Sequence, residues 1–418
     1  MPSKSAPQSS RKRATHNVTN IVPIAPPQMR KIRKAVLHLV SELEVEAEAR
    51  EAVDLAIQTH RAGWRPVIAS AGGALVLEAE RAAVRHMRMP LNRHNLFSRW
   101  RSRVQLEALV QRERPSIIHA HGYNALIAAR GISASHRLPL LIDLVEPLPV
   151  TPAHRKRLQQ AATRGARFRV PSEYMMKHLR DDFQLETQYL YHILPGVDLQ
   201  WFDAVRVSPE RLQNLSSLWR LPEHGIVILM ATPLAPGYGH RNLLEALAAL
   251  KRKDVFVLLV GSDRAAPGMR AEIEAVVLAC GLEGKVVMPE SCPDWPAACW
   301  LSSLIVATNN LPRGQAMELL AAQAIGRPVI VTDCGANNEM VHSGETAWVI
   351  PVNDKKKLMQ ALNEAIPMSV VQRIDLAVRT RDFVAMMFPQ TVWREAMFEL
   401  YDAMLEQPMD RLLAQQAS

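Results

Sequence analysis

The sequence predicts an α/β protein of two similar halves, each a doubly wound parallel sheet, facing each other across a cleft. Three observations carry that reading. Short apolar runs of strand length alternate with helical stretches, the pattern of βαβ units around a parallel sheet. The alternation breaks once, after "ILPGVDLQWFD", and restarts near residue 223. The composition agrees: 418 residues with 48% apolar content suffice for two cores. With aromatics at 5%, that apolar share rests on Leu, Ala and Val, which suits helices covering buried strands.

Residues 1–34 are expected to form a disordered tail. They hold Lys4, Arg11, Lys12, Arg13, Arg30, Lys31, Arg33 and Lys34 and no Asp or Glu, which is eight of the nine net positive charges. Their Ser, Pro, Gln and Asn content cannot bury enough surface to order the segment. Such a tail either draws anionic lipid or nucleic acid, at about 1 kcal/mol per charge near a membrane, or is an inert solvated leader. No signal-peptide core follows it. A transit peptide fits the acid-free composition but not the lack of an amphipathic face. No apolar run reaches the ~18–20 residues that span a bilayer.

The first half, 35–205, opens with the strand-like "KAVLHLV" and a helix from about Glu42 to Thr59. The strands "RPVIASAG", "SIIHAHG" and "PLLIDLVEP" follow. A linker is expected over 206–222. The second half, 223–385, carries the strand-like runs "GIVILMAT", "VFVLLVGSD", "GKVVMPE", "SLIVATN", "RPVIVTD" and "TAWVIPVND". Over 386–410, Trp393, Met397, Leu400 and Met404 recur at helical spacing, predicting a closing helix that packs back on the first half. Ligands of such sheets bind beyond the carboxyl ends of the strands, here in the cleft between halves. Cys280, Cys292, Cys299 and Cys334 have neither disulfide nor zinc spacing, so a reducing, cytoplasmic setting is expected.

The run "AQAIGRPVIVTDCGANNEMVHSGETAWVIPVND" resembles the donor-domain core of family-4 glycosyltransferases, whose GT-B fold pairs two Rossmann-like domains. "LWRLPEHGIVILM", "VLLVGSD", "GLEGKVV" and "LPGVDLQWFD" extend the resemblance over roughly residues 35–410. It implies a UDP- or GDP-sugar bound between the domains and transferred with retention, with no metal and no other cofactor. It also implies an envelope glycan or lipid-linked acceptor, as in polysaccharide or lipopolysaccharide synthesis. The leaving diphosphate needs cations or backbone N–H groups, and the ribose and sugar need carboxylates and amides.

Against that pattern, the donor-side positions are altered. Counting back from Gly326, the family's E-x7-E carboxylates fall on Arg313 and Ala321. Glu318 is the nearest carboxylate, about 300° around the helix from Ala321, and is either a substitute or a solvated residue. The phosphate-clamping Gly-Arg and Lys fall on Thr232, Pro233 and Tyr238; Gly239 persists, with His240 and Arg241 as candidate replacements. Losing one such stabilising group costs about 3–4 kcal/mol in a transition state. The family's glycine-rich first loop is replaced by Glu42, Glu44, Glu46, Glu48 and Glu51, which repel a diphosphate or form a new acidic site. The position of the His that the family often places near the donor sugar falls on Val145, beside Glu146. His119 and His121 end a strand; His119 matches the family, which favours a structural or acceptor-side role over metal binding, and their i, i+2 spacing alone is weak. Gly261, Gly335, Asn337, Asn338 and Glu339 keep the outline of a donor loop, and Ser172 and Glu173 suit a helix start.

The catalytic candidates are therefore Glu146, His119, His121 and Glu318. The donor-binding candidates are Gly239, His240, Arg241, Gly261, Arg313, Gly335, Asn337, Asn338 and Glu339. Two readings stay open: an active transferase with an altered donor site, or a catalytically silent scaffold or partner subunit. The chain lacks an aromatic platform for nucleic acid, and none is expected as a partner. Basic residues between Arg81 and Arg103 form either a peripheral membrane contact on the inner face or a solvated surface.

Overall fold

In the computed structural model, which describes residues 34–44, 47–92 and 96–406, the apolar runs form two all-parallel sheets. The first contains β1 (Ala35–Leu39), β2 (Arg65–Ser70), β3 (Arg85–Arg88), β4 (Ile117–His121), β5 (Leu140–Asp143), β6 (Arg167–Val170) and β7 (Leu190–His192). Their order is β3-β2-β1-β4-β5-β6-β7. Its helices are α1 (Ala47–Arg61), α2 (Val76–Arg81), α3 (Leu96–Glu113), α4 (Gly122–His136), α5 (Pro152–Thr163) and α6 (Glu173–Lys177). After α7 (Pro209–Leu218), the second sheet contains β8 (Ile226–Ala231), β9 (Val255–Val260), β10 (Val286–Val287), β11 (Leu304–Ala307), β12 (Val329–Thr332) and β13 (Ala347–Ile350). Their order is β10-β9-β8-β11-β12-β13. Here the helices are α8 (His240–Leu250), α9 (Met269–Ala279), α10 (Trp295–Leu301), α11 (Met317–Ala324), α12 (Lys355–Ala365) and α13 (Val370–Met387). Both strand orders reverse beside the first strand of their sheet, which opens a crevice at the carboxyl ends.

Several boundaries differ from the sequence expectation. Strands β3, β6 and β7 were not expected, because "RHMR", "RFRV" and "LYH" interrupt the apolar pattern. In β6, Arg169 is fully buried and its charge is met by Glu51, at 3.0 and 3.3 Å in a two-point pair. The helix expected from Glu42 starts at Ala47. Residues 40–43 are instead pinned to the end of β2 and the loop after it, with Val40 N donating to Ala69 O (3.0 Å) and Leu43 N to Gly72 O (2.8 Å). The stretch 206–222 contains α7, which Ser208 caps and Pro209 starts. Leu215 and Trp219 are buried, and Arg211 pairs with Asp294 at 2.7 Å, fastening α7 to α10. Lys34 joins the fold, since its carbonyl accepts from Arg65 N (2.9 Å) and its ammonium pairs with Asp402 (2.5 Å). The rest of the expected tail, like residues 407–410 of the closing helix and Glu46, lies outside the described residues.

The last helix, α14 (Gln390–Glu406), returns to the first sheet. Trp393, Met397, Leu400, Tyr401 and Met404 pack with Val36, Leu55, Ile117 and Leu141. Burial of each such side chain contributes about 1.5–3 kcal/mol, enough to hold the chain's end onto the first lobe. Among the described residues, no helix is long and apolar enough to cross a membrane.

Candidate functional site

The loops at the carboxyl ends of the two sheets meet around Arg313, which follows β11. Its guanidinium is largely buried and donates to Glu318 in the first turn of α11, and also to Glu146, which follows β5 in the first lobe (3.3 and 3.4 Å). Burial works against the Arg313 charge. Glu318 and Glu146 more than offset this and hold its pKa above the usual arginine value. The guanidinium also stands 5.8 Å from the Tyr238 ring. Arg313 and Tyr238 are the positions where the sequence reading placed a family carboxylate and a family lysine, and here the two altered residues touch.

The same junction is sewn further by backbone. Gly314 N donates to Glu146 Oε2 (3.3 Å), and Gly314 O accepts from the Ser172 hydroxyl (2.7 Å). A Cβ on Gly314 would lie 2.3 Å from Val145 O, so only glycine lets the two backbones approach this closely. Ser172 also caps α6 through Met175 N, as its position in "PSEYM" suggested. Glu339 reaches across to accept from Glu173 N (2.7 Å) and Tyr174 N (2.8 Å), a carboxylate at the start of α6. Gly335 packs on the Arg313 backbone; Asn338 bonds Asp333, and buried Asn337 donates to Asn309 Oδ1 and Thr332 O at 3.0 Å. Thus Glu146, Arg313, Glu318, Gly335 and Glu339 meet at one interlobe joint. Ala321 is buried in the core of the second lobe.

At the head of α8, Gly239 takes the left-handed conformation (φ 83°), and Gly261 packs directly on Thr232 O. His240 is buried, with Nε2 3.3 Å from Thr232 Oγ1, and burial pushes its pKa down to about 4. Enclosed and held neutral, it brings no positive charge to the head of α8 near pH 7. The sign follows: the unfolded chain takes up a proton near pH 6.5 and the folded site only near 4, so stability present above pH 6.5 is lost on acidification between those values. Relative to His240→Gln, the wild-type chain is expected to lose about 3 kcal/mol over that interval, read from denaturant midpoints at stepped pH. Arg241 is exposed and lies 3.8 Å from Glu245 on its own helix.

The acidic first loop forms no open acidic site among its described members. Glu42 accepts from Asn92, Glu44 from Arg264 across the lobes (2.9 Å), and Glu51 from Arg169. The Glu48 carboxylate lies at the mouth of α4, where a Cβ on Gly122 would sit 2.6 Å from it. The sequence reading missed Arg264, because nothing in "GSDR" distinguishes its last residue. His119 and His121 lie apart from the joint, enclosed in the first lobe with Tyr401 and Asp143. On the first lobe, a groove of roughly 540 Å³ lies along α3 and α4, lined by Leu91, Trp100, Arg103, Tyr123, Arg130 and Arg157.

With that geometry in view, two family profiles match: "Glycosyltransferase Family 4" over residues 49–201 and "Glycosyl transferases group 1" over 225–367, together more than half of the chain. The chain belongs to the family-4-like glycosyltransferases. The D-inositol 3-phosphate glycosyltransferase of Salinispora tropica is 24% identical over 199 residues, 45% of this chain and 41% of that protein. EpsD of Bacillus subtilis is 25% identical over 178 residues, 43% of this chain. The matches thus span less than half the length of these relatives. Among solved structures, a glycosyltransferase from Rickettsia africae superimposes with a TM-score of 0.77 at 20% identity, covering 90% of this chain and all of that one. Anabaena Alr3699/HepE, solved with UDP and glucose, gives 0.77 at 18%, covering 88% and 99%. The fold is GT-B.

Proposed function

We propose that this family-4-like chain keeps the GT-B scaffold but has lost most or all of its capacity to transfer sugar from a nucleotide-diphosphate donor. The observation that supports this most directly is Arg313. At a position that normally offers a carboxylate to the donor, it is instead spent on Glu146 and Glu318 and faces Tyr238 where a phosphate-binding lysine belongs. The cleft then acts as a fixed joint between lobes, which suits a scaffold or a partner subunit of an active transferase. The basic, aromatic groove on the first lobe suits an anionic glycan or a lipid-linked partner at a membrane face.

Release of nucleoside diphosphate from UDP- and GDP-sugars tests the reading. The wild-type chain is expected to release none above the uncatalysed rate. The combined variant Ala321→Glu, Pro233→Arg and Tyr238→Lys is expected to regain donor binding. Each cation regained is worth about 3–4 kcal/mol in the transition state, which makes the contrast large. Multiple turnovers by the unmodified chain would overturn the proposal.

A further inference from the structure

Inside the first lobe, parallel pairing places His38 of β1 opposite His119 of β4, and His121 opposite Asp143 of β5. Residues two apart on a strand share a face, so all three imidazoles project to the side that α14 covers. One nitrogen of each ring lies within 4.8 Å of the others. His38 Nδ1 and His121 Nε2 are 3.1 Å apart, and Asp143 Oδ2 stands 3.3 Å from His119 Nε2 and 3.5 Å from His121 Nδ1. All four side chains are buried: His38 Nδ1 and His121 Nε2 meet only each other, His119 Nε2 and His121 Nδ1 lie nearest Asp143, and His38 Nε2 and Asp143 Oδ1 have no hydrogen-bond partner. Buried polar atoms left so are costly, and two imidazole nitrogens facing each other inside a cluster of three point to a missing ligand.

We propose that His38, His119 and His121 bind a divalent first-row transition metal, with zinc as the best fit, in a site enclosed within the first lobe. Three imidazoles beside a carboxylate are a borderline donor set suited to such ions. Two nitrogens on a tetrahedral zinc with bonds of about 2.0–2.1 Å are roughly 3.3 Å apart, close to the His38–His121 separation. The surroundings already orient the ligands. The Tyr401 hydroxyl bonds His119 Nδ1 (2.7 Å), leaving Nε2 turned inward, and Asp143 faces His121 Nδ1 as the outer carboxylate of a carboxylate–histidine–metal unit. Charge fits as well: Asp143 and Glu51 carry two negative charges against one on Arg169, leaving a negative site for the cation. The ion would tie β1 and β4 together under α14, with its fourth position enclosed in the first lobe and away from the interlobe joint.

The test uses the full, tag-free chain. Elemental analysis after dialysis is expected to find about one such ion per chain, and chelator treatment is expected to lower Tm. Co²⁺ added to the stripped protein is expected to give the visible absorption of a tetrahedral nitrogen-rich site, saturating at about one equivalent. His38→Ala and His121→Ala should each abolish both signals. If either variant fails to fold, the wild-type metal content and Co²⁺ spectrum still decide. Wild-type protein free of metal that binds neither Zn²⁺ nor Co²⁺ would overturn the proposal, as would a metal retained by both variants when folded.

Discussion

Arg313→Ala is expected to destabilise the chain by about 3 kcal/mol and to loosen the two lobes from each other. Removing one partner of a buried ion pair strands the other, which typically costs about 3–5 kcal/mol. The lower end applies here because Glu318 is enclosed while Glu146 is partly exposed and screened by solvent. Arg313→Met is expected to cost about as much, since its bulk fills the space without meeting either carboxylate. Glu146→Gln should cost about 1–3 kcal/mol, because its single amide oxygen can accept from Gly314 N or from Arg313 but not both, and the NH₂ then faces the other donor. Chemical denaturation with one probe in each lobe distinguishes loss of stability from loss of coupling. A single unshifted transition in Arg313→Ala would show that the joint is not held by this residue.

The second large effect is at the head of α8. In Gly239→Ala, the added Cβ would fall 1.9 Å from Thr308 O, with the backbone at φ 83°. Left-handed strain alone costs a non-glycine residue about 1–2 kcal/mol, and overpacking against backbone adds roughly 1–3 more. The sum is about 3 kcal/mol or more. Gly268→Ala is the control, since its φ is 97° but nothing lies within 4 Å of its Cβ. It should show the strain without the clash, and the difference in Tm between the two variants isolates the contact with β11. Equal shifts would mean that Thr308 yields freely.

Much of this was legible in the sequence, for a physical reason. Strands such as "VFVLLV" and "RPVIVTD" are buried on both faces, so their apolar runs are continuous and easily read. β6 was hidden because its charge, Arg169, is buried through a partner 118 positions away on α1, a pairing that no local pattern reveals. The positions proposed to lack the family's carboxylates and cations could be counted directly from "LPRGQAMELLA" and "ATPLAPGYGH". What replaces them could not. That Arg313 meets Glu146, that Glu339 seats the start of α6, and that Arg264 takes Glu44 are contacts between lobes, set by packing rather than by spacing. For the same reason Glu318, read as a substitute or a solvated residue, proves to be half of a buried pair.

On the proposed function, the cleft of this chain does not take up a nucleotide sugar. Isothermal calorimetry of the full chain with UDP, GDP, UDP-glucose and GDP-mannose, each to millimolar concentration, tests it most directly. The expected result is no saturable heat with any of them, while the combined Ala321→Glu, Pro233→Arg and Tyr238→Lys variant binds at least one. Saturable micromolar binding to the unmodified chain, about −8 kcal/mol at 1 μM, would contradict the account.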